Sequence, residues 1–553
     1  MFQRWVNNPV VEDYALRYAP RSFRNWSLYA VLTSAIGGIA FMADFAIGAT
    51  TTVTYGFSSA FWGIAAAGII IFLTGIPIAY YSARYNVDMD LLTRGAGFGY
   101  FGSTLTSLVY ATFTIIYFST EGSILAQAFK LYFNIPLSLG YLIGGLGIIP
   151  LVAFGMTALS KFQVWTQPVW VLLMIIPIFA MIVRDPSSVQ AWFHFGGTAK
   201  GGSGFNLLSF GFSMGVVLSL ITQIGEQVDY LRFMPDRTRK SHTKWIWVVV
   251  LGGPGWILLG FLKQIAGSYM GATIFSSVGA TRAIEPIEMF VKGFSSFIPW
   301  AFLSLSVATL FIVLSQLKIQ VTNAYSGSLS WSNFFSRIFH FHPGRIVWLF
   351  LQVAIALVIM EIGMFSILNF VLGFYSNLAV AWIAAVTADL VINKRLLKIS
   401  PPYIEFKRAH LYNFNPVGFG SMIVSAVISI LAFFGLFGTF LQAFSPLLAL
   451  VISFILVPII ALATKGKYYI AREDPFAVQQ AEQKYEDEEV KVLVKCGRCG
   501  YEYEREDVTY CPFIQQPICS LCCSLEKECH DVCKKGSEGG RTLPYRDVEA
   551  SVN

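Results

Sequence analysis

Charge is scarce in this sequence, and cysteine is missing from most of it. Only 13% of its 553 residues are Asp, Glu, Lys or Arg, against about 25% in soluble globular chains. A soluble enzyme is thereby excluded as the main body. No cysteine precedes Cys496, so thiolate chemistry is confined to the C-terminal end. The net charge of +7 is modest, and its basic residues lie between apolar runs, which is not a nucleic-acid footprint. No small-residue cleavage site follows the first apolar run, so no signal peptide is expected. No nucleophile–base pair or open metal site stands out, which speaks against an enzyme.

Apolar material is abundant. Hydrophobic residues make up 55% of the chain and aromatic residues 16%, with a mean hydropathy of +0.60. Runs of about 20 apolar residues, long enough to cross a bilayer, recur near 28–50, 57–81, 101–129, 138–159, 163–183, 206–228, 245–270, 295–322, 345–361, 366–391, 417–441 and 444–464. Twelve spans put both termini on one side. Loops on that side hold Arg84, Arg94, Lys161, the run from Arg232 to Lys244, Arg337, Arg345 and the run from Lys394 to Arg408. The opposite loops hold chiefly Lys130, Arg184, Lys200, Arg282 and Lys292. The positive-inside rule then places both termini in the cytoplasm. The expected organisation is an N-terminal segment (1–27), a transmembrane domain (28–465), an acidic linker (466–495), a Cys-rich module (496–535) and a loose tail (536–553).

Glycines mark two spans: Gly37 and Gly38 in the first, Gly211 and Gly215 beside Ser213 in the sixth. These spans lie five helices apart and run in opposite senses. Interrupted helices at matching places in two halves are the mark of an inverted-repeat transporter with a midplane site. Close helix packing explains the same glycines equally well.

An ionisable group within the bilayer costs at least about 2.5–3.5 kcal/mol on insertion scales, so each asks for a reason. Asp44, Glu121, Glu226, Lys318, Glu361 and Asp389 are the candidates, of which Glu361 and Asp389 fall near span ends. Tyr117 and Glu121 are spaced i, i+4, so ring and carboxylate share a helix face. A ring beside a hydrogen-bonding group suits a planar heterocycle; a carboxylate paired within the bundle is the alternative. Lys318 reads as the one lysine well inside a span near polar side chains. It is expected to carry a proton, replace a bound cation, or pair with Asp44 or Glu121. Gln223, Glu226, Asp229 and Arg232 close the sixth span, with Asp229 and Arg232 expected as a helix-end salt bridge and a secondary gating candidate.

Cys496-x2-Cys499 and Cys519-x2-Cys522 have the spacing of a four-thiolate zinc site. Such a site is closed and structural, and zinc supplies folding energy that a small core cannot. Cys511, Cys523, Cys529, His530 and Cys533 offer five candidates for a second site of four positions. The module reads as a docking platform for a cytoplasmic partner.

Three segments, Arg17-Tyr18-Ala19-Pro20-Arg21-Ser22-Phe23-Arg24, Asp229-Tyr230-Leu231-Arg232-Phe233 and Val321-Thr322-Asn323-Ala324-Tyr325-Ser326, resemble the purine–cytosine permease (nucleobase–cation symporter) family over roughly residues 12–465. The resemblance is closest to a bacterial branch in which this body and a Cys-rich segment precede a hybrid histidine kinase. It implies an all-α, twelve-helix protein of the leucine-transporter-type inverted repeat (5+5+2) in a bacterial inner membrane, moving purines, pyrimidines or hydantoins with sodium or protons. The family's third-helix aromatic and glutamine would fall on Tyr117 and Glu121, and its eighth-helix substrate asparagine on Asn323. Its stacking tryptophan falls near Leu220, and its sodium-binding serine–threonine pair near Leu317 and Lys318, so ordinary sodium coupling is not expected. Asp44 lies close to the first-helix contacts, with Gly37, Gly38 and Gln223 as further substrate candidates. The chain shows no phosphoacceptor histidine box, ATP-binding glycine motif or receiver domain. The expected function is therefore a permease for a nucleobase-like heterocycle, or a transporter-like receptor signalling through the module to a separate partner such as a histidine kinase.

Overall fold

The computed structural model describes residues 15–153, 155–199, 202–474 and 493–535, with backbone alone at 155–159, 364 and 366. The acidic run from Glu482 to Glu489 and the tail from Gly536 lie outside the described residues.

Among the described residues, nine helices are long and apolar enough to cross a membrane. The other three expected spans are a first helix in two pieces, α1 (Leu28–Gly37) and α2 (Ala43–Tyr55), and two shorter helices, α5 (Leu137–Ala153) and α12 (Arg345–Glu361). Between them run α3 (Phe57–Tyr85), α4 (Gly102–Phe133), α6 (Gly155–Arg184), the broken sixth span α7 (Leu207–Leu218) and α8 (Ile224–Leu231), the seventh span α9 (His242–Gly252) and α10 (Trp256–Ala283), α11 (Ala301–Phe339), α13 (Leu368–Ala388), α14 (Ser421–Phe433) and α15 (Ser445–Ala463).

Local sequence explains many of the ends. Ser27 and Asn206 accept backbone N–H bonds and so cap α1 and α7. Asn86 and Asn134 take left-handed conformations that stop α3 and α4. Burial sorts the spans: 89% of the most apolar stretch of α4 is inside the protein, against 17% for α6. The central helix is therefore α4, and α6 faces outward.

The module is two antiparallel hairpins, β1 (Leu493–Lys495) with β2 (Glu502–Glu504) and β3 (Val508–Cys511) with β4 (Gln516–Cys519), followed by a short helix, Ser520–Leu525. It sits against the body on the side of the N-terminal segment. Leu16 enters its small core beside Val494, Tyr503, Val508 and Ile518. Arg17 binds Asp507 at 2.5 Å and lies over the Tyr503 ring. The Tyr18 hydroxyl donates to Glu504. The loop after the tenth span makes a second attachment: Arg408 donates to the Cys523 carbonyl at 2.9 Å and pairs with Asp531 at 3.0 Å.

Candidate functional site: two helix breaks joined by the third span

The first span loses helical form between Gly38 and Met42, and the sixth tightens into a 3-10 turn at Ser219–Gln223. The sixth-span interruption thus differs from the expectation. Gly211 packs instead against the Ala443 carbonyl, and the Ser213 side chain fits against Gly63. Those small residues serve helix packing, while the break begins four residues after Gly215. Gly37 and Gly38 do lie at the first break. A Cβ on Gly37 would meet Gln163 at 2.8 Å, and one on Gly38 would meet the Tyr230 hydroxyl at 3.0 Å, so both allow close approach as well.

A broken helix exposes N–H groups at one cut end and carbonyls at the other. Here the protein's own side chains cover both. The Glu121 carboxylate accepts from the backbone N–H of Met42 (3.2 Å) and Ala43 (3.0 Å) at the start of α2, where the helix dipole favours an anion. Gln316 of α11 donates to the same carboxylate at 2.7 Å. At the other end, the Lys263 ammonium donates to the carbonyls of Ile39 (2.6 Å) and Phe41 (3.2 Å). It also pairs with Asp44 at 2.7 Å and lies 4.2 Å from the Phe41 ring centre. Gln264 donates to the second Asp44 oxygen at 2.8 Å. Glycines make this reach possible: a Cβ at Gly48 or Gly267 would run into the facing backbone of α10 or α2.

The Tyr117–Glu121 face spans both breaks. While Glu121 holds the first, the Tyr117 hydroxyl lies 2.9 Å from Ser219 in the second. Neutral groups dominate there: Thr222 meets Tyr375 at 3.2 Å, and Gln223 donates to Glu226 at 2.8 Å. Leu220 lies fully buried within this turn.

On α11, Gln316 and Gln320 bond to α4, at Glu121 and the Phe118 carbonyl. Gly327 packs against Thr114 of the same helix. Asn323, three residues after Gln320 and four before Gly327, shares that stripe. It is fully buried, and neither amide atom has a hydrogen-bond partner among the described residues.

Two expectations are corrected and a third is widened. Lys318 pairs with neither Asp44 nor Glu121; its ammonium donates to the Gln163 carbonyl (3.0 Å) and Thr166 (2.9 Å) on α6. Nor is it the one deep lysine, because Lys263 holds the position at the break. Lys263 is the only charged residue between Trp245 and Thr281, and that isolation in an apolar run is the signal that marks it. Finally, Arg232 pairs with Asp88 at 3.4 Å and donates to Tyr325 at 2.6 Å. Asp229 accepts from Tyr110 (3.2 Å) and Ser326 (2.5 Å). These contacts tie the sixth span to the second-span loop, α4 and α11, so Asp229 and Arg232 belong to a wider network than a helix-end pair.

In the module, the sulfurs of Cys496, Cys499, Cys519 and Cys522 lie within 4.8 Å of one another, a donor set that fits a metal ion. No cysteine is in a disulfide. The Cys519 N–H points to the Cys496 sulfur and the Cys522 N–H to the Cys519 sulfur, each at 3.4 Å. Such backbone donors stabilise thiolates. His530 is exposed and belongs to no such group.

Glu405, His410 and Asp474 also converge, but their groups are already used. His410 Nδ1 donates to the Arg472 carbonyl at 2.8 Å, its Nε2 lies 2.8 Å from the Thr509 hydroxyl, and Lys407 donates to Asp474. Burial and the neighbouring Lys407 push His410 down to about 3, so it is neutral.

No family model and no curated protein matches this chain. Solved structures do. Mhp1, a nucleobase-cation-symport-1 family transporter in a closed conformation with bromovinylhydantoin bound, superposes with a TM-score of 0.59 at 17% identity, covering 84% of this chain and all of that one. The inward-facing conformation of Mhp1 gives 0.57 at 16% identity, over 81% and 93% of the two chains. The outward-open, substrate-bound state of a sodium-coupled sialic acid symporter gives 0.52 at 13%, over 82% and 93%. Together with breaks in the first and sixth spans, these matches establish the fold: the leucine-transporter-type inverted-repeat arrangement that Mhp1 also has, followed by a Cys-rich module.

Proposed function

We propose that this chain moves a planar, nucleobase-like heterocycle of the purine, pyrimidine or hydantoin class by alternating access. Asn323 carries the reading. A buried amide with no partner leaves a donor and an acceptor unmet, at a cost of about 1–3 kcal/mol each. The adjacent N–H and C=O groups of a nucleobase or hydantoin complement that pair. Tyr117 supplies the ring for stacking and Glu121 a hydrogen-bond acceptor, with Gln223 and Glu226 at the sixth break beside them. The bromovinylhydantoin held by Mhp1 is a heterocycle of this class.

Lys263 replaces Lys318 as the resident cation in this reading. Its ammonium occupies the carbonyls at the cut end of α1, so sodium is not needed there. Lys318 braces α11 against α6. The four-cysteine set of the module takes zinc as a structural ion.

The test is uptake of labelled purines, pyrimidines and hydantoins into proteoliposomes under sodium or proton gradients, with Asn323→Leu as comparison. Asn323-dependent flux indifferent to sodium is expected. Absence of both flux and binding for all three classes would overturn the reading. One observation favours a second reading, a ligand receptor: the module grips the N-terminal segment immediately before α1, so movement of the broken first span would reach it. Saturable binding without flux is the outcome that reading requires, with a cytoplasmic signalling protein docking on the module.

A further inference from the structure

Four further cysteines surround one small cavity. Cys511 ends β3, Cys523 follows Cys522 on the module's helix, and Cys529 and Cys533 flank a tight reversal at His530 and Asp531, both with positive φ. All four line the same space, closed on the body side by Ala409. Their thiols have only weak partners: Cys529 reaches the Glu526 carbonyl at 3.8 Å and Cys533 the Ala409 carbonyl at 4.0 Å.

We propose that Cys511, Cys523, Cys529 and Cys533 form a second site for a soft divalent cation such as zinc, at the seam between module and transmembrane body. The exposed His530 is not a ligand, which reduces five candidates to four. Neighbouring residues on one helix diverge by about 100°, so Cys522 and Cys523 serve separate sites. The sulfurs of the first site lie within 4.8 Å of one another already, whereas those of the second form a wider ring around a cavity that a bound ion would draw in. Binding releases four thiol protons and leaves a complex of net charge −2. Arg408, Arg472 and Lys534 lie close enough to act on these thiols electrostatically and would balance that charge. Two of these cations also fasten the module: Arg408 through Cys523 and Asp531, Arg472 through the Tyr510 carbonyl at 2.9 Å. A metal here would therefore fix the seam as well as the module. A module this small rarely holds together on its apolar core alone.

This inference extends the zinc reading of the first cysteine set but does not depend on it, and metal content of the purified full chain separates the two. Wild type should carry two zinc ions per chain. Cys511→Ser/Cys529→Ser and Cys496→Ser/Cys499→Ser should each carry one. One ion in wild type, retained by the Cys511→Ser/Cys529→Ser protein, overturns the second site and leaves the first standing. Two ions in wild type with none lost from the Cys496→Ser/Cys499→Ser protein overturns the first instead. If either variant misfolds, alkylation mapping of zinc-loaded wild type decides. Chelator-dependent protection of all eight cysteines supports the proposal. Ready alkylation of Cys511, Cys523, Cys529 and Cys533 while the other four stay protected overturns it.

Discussion

Two polar clusters hold this molecule together, one at the first helix break and one at the seam with the module. Each buries ions: Lys263 with Asp44 in the first, Arg17 with Asp507 and Lys407 with Asp474 in the second. They differ in what happens when a partner is lost. Within the bundle, a stranded charge or carbonyl has no water to turn to. At the seam, the module can lift away and let water in. The same kind of contact should therefore act as architecture in one place and as a latch in the other.

The sharpest test of that difference is Lys263→Met. It strands Asp44 and uncovers two carbonyls, and removing one partner of a buried pair costs about 3–5 kcal/mol. A large fall in the detergent-solubilised melting temperature is expected, with part of it recovered by adding Asp44→Asn. A variant as stable as wild type would show that the pair is dispensable.

Arg17→Ala should behave otherwise. It strands Asp507, which is fully buried, but undocking limits the loss to about 1–3 kcal/mol. The expected readout is faster tryptic cleavage after Arg472, whose side chain holds the seam, with the melting of the transmembrane body unchanged. A fall in body stability matching that of Lys263→Met would erase the distinction.

Acid should also open the latch. Burial, in part against Thr509 of the module, together with Lys407 holds His410 down to about 3 when docked, and undocking removes the module's share of that burial, so the imidazole moves up toward its ordinary 6.5. Between those values the undocked state binds the extra proton, so docking is at full strength above pH 6.5 and weakens as pH falls. Glu405, raised to about 7 by burial against the pull of Lys407, works in the opposite sense, since its protonation relieves a buried charge. The measurement is accordingly a difference: tryptic cleavage after Arg472 at pH 7.5 and 5, in wild type and in His410→Asn. A smaller acid response in the variant is expected; equal responses would remove His410 from the latch.

How much of this was legible in the sequence depends on the range of the interaction. The spans follow from local hydropathy, and the two Cys-x2-Cys pairs place four sulfurs together because each pair lies on one turn. The i, i+4 spacing of Tyr117 and Glu121 puts them on one face, whatever that face touches. Partner choice is a tertiary matter. Nothing near Lys318 says that its ammonium ends on Thr166, and nothing near Arg232 names Asp88. The sixth-span break lies at Ser219–Gln223, in a turn without glycine, because a 3-10 turn needs no positive φ. Lys263 carries a local signal that the expectation placed on Lys318 passes over: a single charge in a long apolar run demands a buried partner, and Asp44 supplies it.

The smallest effect tests the two breaks against each other. The first is held by charged groups, the second mainly by hydroxyls and amides, with Glu226 accepting from Gln223. Tyr117→Phe removes only the contact with Ser219, a neutral hydrogen bond whose net contribution is about 0.5–1.5 kcal/mol. Ser219 keeps a bond to the Val216 carbonyl at 2.6 Å, so no hydroxyl is left stranded, and the melting temperature should move little. Ligand affinity should also survive, because the ring remains to stack. Glu121→Gln, by contrast, keeps an acceptor but discards the charge that faces the α2 N-terminus, and should weaken both stability and binding. If Tyr117→Phe proved the more damaging of the two, the sixth break would be the rigid element, and the roles assigned to the breaks would be exchanged.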